Sequence, residues 1–273
     1  RNYHGRRWYT LCVSSQVGCR MGCTFCQTGR MGLLANLTAD QIVMQFTCAQ
    51  EILRRRADHG AQSAPGLRNV VFMGMGEPLD NFDAVVQAIR TLNDPAGLNV
   101  PLSRITLSTV GRVDGIRKLA EFRWTSLRLA ISLTAAADDL RNELMPVNRA
   151  MPLAQLKQAL LDYPRTRRTQ FFIEYVMLKN INDSVSHADA LAVWCDSLPV
   201  RVNLIAYNPQ QPALYQTPDD QTIVDFMWRL RRKGILAKRR VTIGRDVMGA
   251  CGQLGNTAFR RKELVALEAS KSL

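Results

Sequence analysis

The sequence predicts an α/β protein whose parallel strands form an incomplete (β/α)6 barrel of parallel strands with flanking helices. Three observations carry this reading. Six short apolar runs recur along the 273 residues, each followed by a loop and then an amphipathic stretch. Most of these runs are continuously apolar rather than alternating, as parallel strands covered on both faces require. Strands that alternate with helices call for right-handed crossovers. A doubly wound open sheet is the alternative topology. No segment is long and polar enough to separate independent domains, so residues 1–273 read as one core domain.

The strands are predicted over Arg7–Ser14, Asn69–Met73, Arg104–Thr109, Ser126–Leu133, Gln170–Leu178 and Arg201–Tyr207, with Arg239–Gly244 as a further edge strand. Thr38-Ala-Asp-Gln41 has the form of a capping box, and Ile42, Phe46, Ala49 and Leu53 then follow one helical face. Arg54-Arg55-Arg56 closes that helix, where cations suit the dipole, and Ala57–Arg68 reads as a loop. Phe82, Val85, Ile89 and Leu92 mark the second helix, and Ile116 with Leu119 a shorter third. Pro152 starts another, with Leu153, Leu156 and Leu160 inward. Ser184 can cap the next, burying Ala188, Leu191 and Trp194. Thr217-Pro218 opens the last long helix and Gly234 ends it.

The balance of 36 basic against 23 acidic residues, net +13, fits a polyanionic partner, nucleic acid before anionic membrane. No signal peptide or long apolar span is evident, so a cytoplasmic protein is expected. Seven cysteines, an odd number, argue against a disulfide scaffold. The chain opens at Arg1 rather than a methionine, so residues upstream are expected to be missing.

Three of the cysteines stand together in Cys19-Arg-Met-Gly-Cys23-Thr-Phe-Cys26. Thiolates at this spacing converge on one metal centre, and soft sulfur favours zinc or an iron–sulfur cluster. A structural zinc site wants a fourth protein ligand. None is near: no histidine occurs between His4 and His59, and Cys48 reads as helix core, like Cys195. Three ligands without a fourth point to a cluster with one open iron. In parallel α/β folds sites gather at the carboxyl ends of strands. There the sequence puts the cysteine loop, Gly76 and Glu77, Ser108, then Ser132, Leu133 and Thr134, and Asn208. Gly74 and Gly76 let backbone approach a ligand, and the Glu77 carboxylate can hold a cationic amine. Cys251, between Ala250 and Gly252, has no core to fill and reads as a reactive thiol, whereas Cys12 alone reads as a small buried hydrophobe. His4, His59 and His187 are isolated and carry no assignment.

The cysteine spacing with Met73-Gly-Met-Gly-Glu77-Pro78 downstream resembles the radical S-adenosylmethionine (SAM) superfamily. Thr10-Leu-Cys12-Val-Ser-Ser-Gln-Val-Gly-Cys19, Leu144-Met-Pro-Val-Asn148, Val202–Pro209 and Ala250-Cys-Gly-Gln-Leu254 narrow the resemblance to the RlmN/Cfr family of RNA adenine methyltransferases, over nearly the whole chain. The resemblance implies a radical SAM barrel and a 4Fe-4S cluster on Cys19, Cys23 and Cys26. It implies S-adenosyl-L-methionine held by Gly76, Glu77, Ser108, Ser132, Leu133, Thr134 and Asn208. Cys251 would carry the methyl group, Cys12 would assist proton removal, and a Cys12–Cys251 disulfide would release the product. The implied target is an adenine ring carbon of 23S rRNA, carbon 2 by default, with tRNA as a further substrate. An electron donor such as flavodoxin or ferredoxin and a monomeric state go with it. Arg6-Arg7, Arg54–Arg56, Arg165–Arg168, Arg229–Lys233 and Lys238–Arg240 are the candidate RNA-holding clusters. The target adenine would leave its stack to enter the site.

The chain departs from that pattern in places. Thr134 stands where many relatives have histidine, and Asp246-Val-Met248-Gly249 loses a carboxylate beside Cys251. The accessory N-terminal domain and an upstream proton-accepting glutamate of relatives would fall before Arg1. Carbon-8 methylation, a radical SAM enzyme with a non-RNA substrate, and a non-catalytic iron–sulfur or zinc RNA-binding protein are the competing readings.

Overall fold

In the computed structural model, residues 2–3, 6–58, 66–210, 213–242, 244 and 248–255 are described. β1 (Asn2–Tyr3) pairs antiparallel with β2 (Arg6–Cys12), and β3 (Gln16–Cys19) leads into α1 (Gln27–Met31) and β4 (Gly32–Asn36). Then come α2 (Ala39–Asp58), β5 (Gly66–Phe72), α3 (Phe82–Asn93), β6 (Ile105–Thr109) and α4 (Val113–Glu121). β7 (Arg128–Ser132), α5 (Asp138–Leu144), α6 (Leu153–Leu161), β8 (Phe171–Met177) and α7 (Val185–Cys195) follow. β9 (Val200–Ala206), α8 (Asp220–Arg232) and β10 (Leu236–Arg239) complete the described elements.

The main sheet runs in the order β1-β2-β5-β6-β7-β8-β9-β10, and every pairing from β2 to β10 is parallel. Seven parallel strands in unbroken chain order have no switch point, which excludes the doubly wound alternative. No pairing joins β10 back to β1 or β2 among the described residues, so the sheet is a half-barrel. The predicted edge strand exists but sits earlier, at Leu236–Arg239 instead of Arg239–Gly244. Gly234, at φ +81, ends α8, and the chain enters the sheet at once. Arg240 makes one last ladder bond, N–H to Leu204 O at 2.8 Å, before the strand ends.

Outward-facing strand residues and inward-facing helix residues form one apolar core that includes Val70, Leu107, Leu129 and Ile173 beneath Ile89, Ile116, Leu156 and Phe226. The predicted helix faces hold. The box is reciprocal, Thr38 N–H to Gln41 Oε1 at 3.0 Å and Gln41 N–H to Thr38 Oγ1 at 3.3 Å. Ser184 caps α7, and His187 closes a second box there. α8 opens later than Thr217-Pro218, because the Asp219 carboxylate accepts the Thr222 N–H at 2.8 Å and sets the start. The loop expected over Ala57–Arg68 is shortened at both ends, by α2 and β5. Cys195 is buried as expected. Cys48 is exposed, contrary to expectation, because the buried stripe of α2 runs through Ile42, Phe46 and Leu53 and turns Cys48 away. His4, His59 and Asp246 lie outside the described residues.

Two features escape the sequence reading. β3 and β4 form a separate antiparallel ribbon that flanks the cysteine loop. α5, too short and charged to show a helical period, leads into a second apolar cluster, with its last residue Leu144 and the following Met145 and Val147 under Met21 and Phe25. Gly18, at φ +77 in the ribbon, leaves no room for a Cβ, which would overlap the Gly32 carbonyl oxygen. Gly18→Ala should therefore destabilise the fold by at least about 2 kcal/mol, measured by urea denaturation.

Candidate active site around a three-cysteine loop

The loop from Cys19 to Cys26 lies over the carboxyl ends of the parallel strands and is tied down by charge. Asp80, its side chain only 1% exposed, accepts Arg20 Nη2 at 2.5 Å and Arg112 Nη1 at 2.6 Å. Gln16 Nε2 donates to the same carboxylate at 3.0 Å and to Asn36 Oδ1 at 2.8 Å. The amide oxygen of Gln16 accepts the Glu77 N–H at 2.8 Å. One carboxylate thus joins the cysteine loop, the ribbon and the turn after β5.

A second anchor works from below. The Arg141 guanidinium, 1% exposed, donates to the carbonyls of Val110 at 2.5 Å and Leu133 at 3.1 Å and to Asn148 Oδ1 at 2.6 Å. It gathers the ends of β6 and β7 at the cavity. Burial lowers its pKa to about 10, so it stays charged at neutral pH.

Cys19, Cys23 and Cys26 share the wall of a cavity of about 1060 Å3, its open mouth included. Gly76, Glu77, Ser108, Ser132, Thr134, Asn208 and Cys251 line the same space, so most of the predicted site residues converge. Leu133 and Cys12 are not part of that lining; the Leu133 side chain stands in the apolar core, and Cys12 sits at the end of β2. Gly74 and Gly76 both line the cavity, and they are needed for a further reason. A Cβ on Gly74 would meet Val13 O and Ser14 Oγ at 2.7 Å, and one on Gly76 would meet Gln16 Cβ at 2.5 Å. The glycines also admit the segment after β2.

The wall is chemically suited to a cationic, hydroxyl-rich ligand beside a sulfur-bound cluster. Glu77 is 2% exposed, its oxygens accepting the N–H groups of Leu79 at 3.1 Å and Val110 at 2.8 Å. Burial pushes its pKa up to about 7, against the pull of those N–H groups, Thr109 and Arg112. A buried carboxyl of this kind favours a cation as partner. Thr134 Oγ1 is buried without a hydrogen-bond partner, and Thr134 holds φ +59, uncommon for a β-branched residue. Ser108 Oγ and Ser132 Oγ lie 3.5 Å apart. No three described His, Cys, Asp or Glu side chains close on a point as a single metal ion requires. Three loop thiols spread around one cavity fit a larger cluster held at its corners. Burial raises all three thiols; repulsion from the other loop thiols adds to it for Cys19 and Cys23, and repulsion from Cys251 for Cys26.

The Cys251 segment closes the cavity by backbone contacts. Asn208 Nδ2 donates to Cys251 O at 3.0 Å. Gly252 O accepts Gln27 N–H at 2.8 Å and Gln210 Nε2 at 2.9 Å, and Gln210 Nε2 also reaches Phe25 O at 2.6 Å. Thr28 Oγ1 donates to Leu254 O at 2.5 Å. Cys12, at the end of β2, lies in the field of Cys251, and both are free thiols here. Cys12 is exposed on the open side of the half-barrel rather than buried as its residue type suggests. Protein on its other sides desolvates it, which with Cys251 raises its pKa to about 11, against Met73 N–H and Arg240.

Two residues of this wall had no assignment or a different one. Glu174 sits inside the apolar run of β8, which hides it; its pKa is raised by burial. It accepts Asn203 Nδ2 at 2.8 Å and Arg240 Nη1 at 3.3 Å. Arg240, read as part of a surface cluster, lines the cavity. Others of the basic clusters are spent on ion pairs: Arg54 and Arg55 with Glu51, Arg229 with Asp189, Arg239 with Asp220.

Asp80→Asn takes the buried anion from the part-exposed Arg20 and from Arg112, which keeps Asp114, and should cost about 2 kcal/mol in denaturant titration. Glu77 has a raised folded pKa, so its contribution to stability is full below about pH 4.5 and is lost as pH rises through about 7. In ligand-free protein, Glu77→Gln should flatten the decline in stability across that window, by about 3 kcal/mol in total, read from urea midpoints at several pH values.

The radical SAM superfamily profile matches residues 13–191. A probable dual-specificity RNA methyltransferase RlmN 1 of Protochlamydia amoebophila is 45% identical over 93% of this chain and 68% of its own length. The RlmN of Rhodopseudomonas palustris is 44% identical over 94% of this chain and 66% of its own. The crystal structure of a radical SAM methyltransferase from Sphaerobacter thermophilus superposes with a TM-score of 0.83 at 40% identity, covering 92% of this chain and 71% of that one. The chain thus spans roughly two thirds of the length of these relatives. With the half-barrel, the three-thiol wall and the Glu77 turn in place, these matches show that the chain belongs to the radical SAM superfamily and, within it, to the RlmN family.

Proposed function

We propose that the chain is the catalytic core of an RNA methyltransferase that places a methyl group on an adenine ring carbon. The target is carbon 2 in 23S rRNA, with tRNA as second substrate. The relatives' description as dual-specificity RNA methyltransferases favours this over carbon 8. The observation that carries the reading is Cys251, a thiol outside the cysteine loop that is clamped into the same cavity as the loop's three.

Cys19, Cys23 and Cys26 would hold a 4Fe-4S cluster, and Glu77, Ser108, Ser132, Thr134 and Asn208 would hold SAM. When bound, the pair supplies a radical able to take hydrogen from an unactivated methyl group, which an aromatic carbon of low nucleophilicity requires. The protein's own residues do the rest. Cys251 carries the methyl group as a thioether and fixes its carbon over the base, which converts the encounter into an intramolecular one. We assign Cys12, once deprotonated, the removal of the ring proton, the surplus electron of the adduct passing back to the cluster; its sulfur would then attack that of Cys251, and the carbon would leave with the bond pair and gain that proton as a methyl group. Gln27, Thr28 and Gln210 hold the Cys251 segment by its carbonyls, leaving the thiol free to react. The turn after β5 brings Glu77 to a ligand amine, and the apolar floor of Met145 and Tyr207 keeps water from that end. A small flavodoxin- or ferredoxin-class donor supplies the electron, and the protein acts as a monomer in the cytoplasm. Among the described residues no helix is long and apolar enough to cross a membrane.

Protein reconstituted without oxygen and given SAM, reductant and ribosomal RNA should yield methyladenosine on mass spectrometry of the digested RNA. Cys251→Ala should abolish that product and keep reductive SAM cleavage. Wild-type protein that cleaves SAM yet leaves the RNA unmethylated overturns the reading.

A further inference from the structure

We infer that the inner face of the half-barrel carries a second site, for single-stranded RNA flanking the target base, built from Arg104, Arg128 and Arg201 with Trp8 and Phe172. The inference rests on the RNA reading above and extends it to a surface away from the cysteine loop.

Strand register places these residues. Ser132 lines the cavity, and side chains two and four residues earlier on a strand share its face, which leads through Ala130 to Arg128. Glu174 lines the cavity on β8, so Phe172 shares its face. Asn203 donates to Glu174, which puts Asn203, and with it Arg201, on that face of β9. Arg128 pairs with Thr106 of β6, just after Arg104, while Phe172 lies between Ala130 and Arg201. The cluster therefore continues the cavity wall toward the amino ends of the strands, about 7 Å per pair of residues.

The chemistry there is one-sided. Burial lowers the pKa of Arg128, and Arg201, Arg104 and Arg68 lower it further; no carboxylate opposes them. Among the described residues none of these four arginines forms an ion pair. Arg201 Nε is buried with no hydrogen-bond partner. Arg68 stacks over Trp8 at 5.5 Å, Arg201 over Phe172 at 5.9 Å, and both rings are partly exposed. Like charges held together without acids oppose folding, so stability does not account for the cluster. Guanidiniums beside partly exposed aromatic rings suit a ligand that repeats both an anion and a planar ring, which is a nucleic-acid strand. An acidic peptide offers the anions without the rings. The site's place fits too, because a strand whose target base lies in the cavity lays its neighbouring phosphates along the same wall.

The test is fluorescence anisotropy of a labelled single-stranded RNA on the intact chain across a salt series. The triple variant Arg104→Gln/Arg128→Gln/Arg201→Gln should bind about tenfold or more weakly, with the slope of log K against log salt shallower by about 2. Its thermal midpoint should equal or exceed the wild type's, and RNA-independent SAM cleavage should be unchanged. Phe172→Leu, which keeps the charges, should weaken binding severalfold at unchanged salt slope. Arg165→Gln/Arg167→Gln/Arg168→Gln, on an exposed turn, should lose far less. A triple variant with wild-type affinity and slope overturns the site, as does an equal loss in the turn variant or displacement of the RNA by polyglutamate at equal charge. Wild-type protein that binds RNA through these residues but never methylates it keeps the site and removes the methyltransferase reading.

Discussion

The carboxylate of Asp80 is the point on which the site's geometry turns. A loop that offers three thiols to one cavity cannot be held by its own backbone, because helical or ladder bonds would tie up the chain that must curve. The hold comes from outside: Arg20 within the loop, Arg112 before α4 and Gln16 in the ribbon meet on one buried anion. Two cations on one carboxylate offset the desolvation that would make a single buried pair a weak support. Arg141 does the complementary work with carbonyl oxygens, drawing strand ends together beneath the loop.

The cavity polarises its own walls. Burial pushes Glu77 toward neutrality and leaves Thr134 Oγ1 without a protein partner, and both are unfavourable for the chain by itself. A cationic ligand relieves the first and a hydroxyl-bearing one the second. The site is thus built at the expense of the free chain's stability, and its strain is released by what it binds.

Much of this was legible in the sequence, and the exceptions share a cause. Strands, helix faces and caps declare themselves by period, and three cysteines at close spacing with Glu77 after the next strand declare a chemistry. Arg141 does not, because Asp138 to Glu143 looks like a solvated charge run until one guanidinium is found turned inward. Glu174 is hidden within an apolar strand, and Arg240 within a basic cluster. The Cys251 segment is pinned through carbonyl oxygens, which leave no trace in residue type. The β3–β4 ribbon is too short for alternation to register. Where side-chain type decides the contact, sequence reports it; where backbone atoms or a single turned side chain decide it, only the folded chain does.

The contact between Thr28 and Leu254 spans 226 positions. A polypeptide is made from its amino end, so the sulfur-bearing loop emerges long before the segment that seals it. Until then the thiols face open water and whatever oxidants it holds. The clasp can cover the loop only after the carboxyl-terminal segment has been made. The order of translation therefore leaves the loop uncovered by the clasp for as long as the chain between them takes to make.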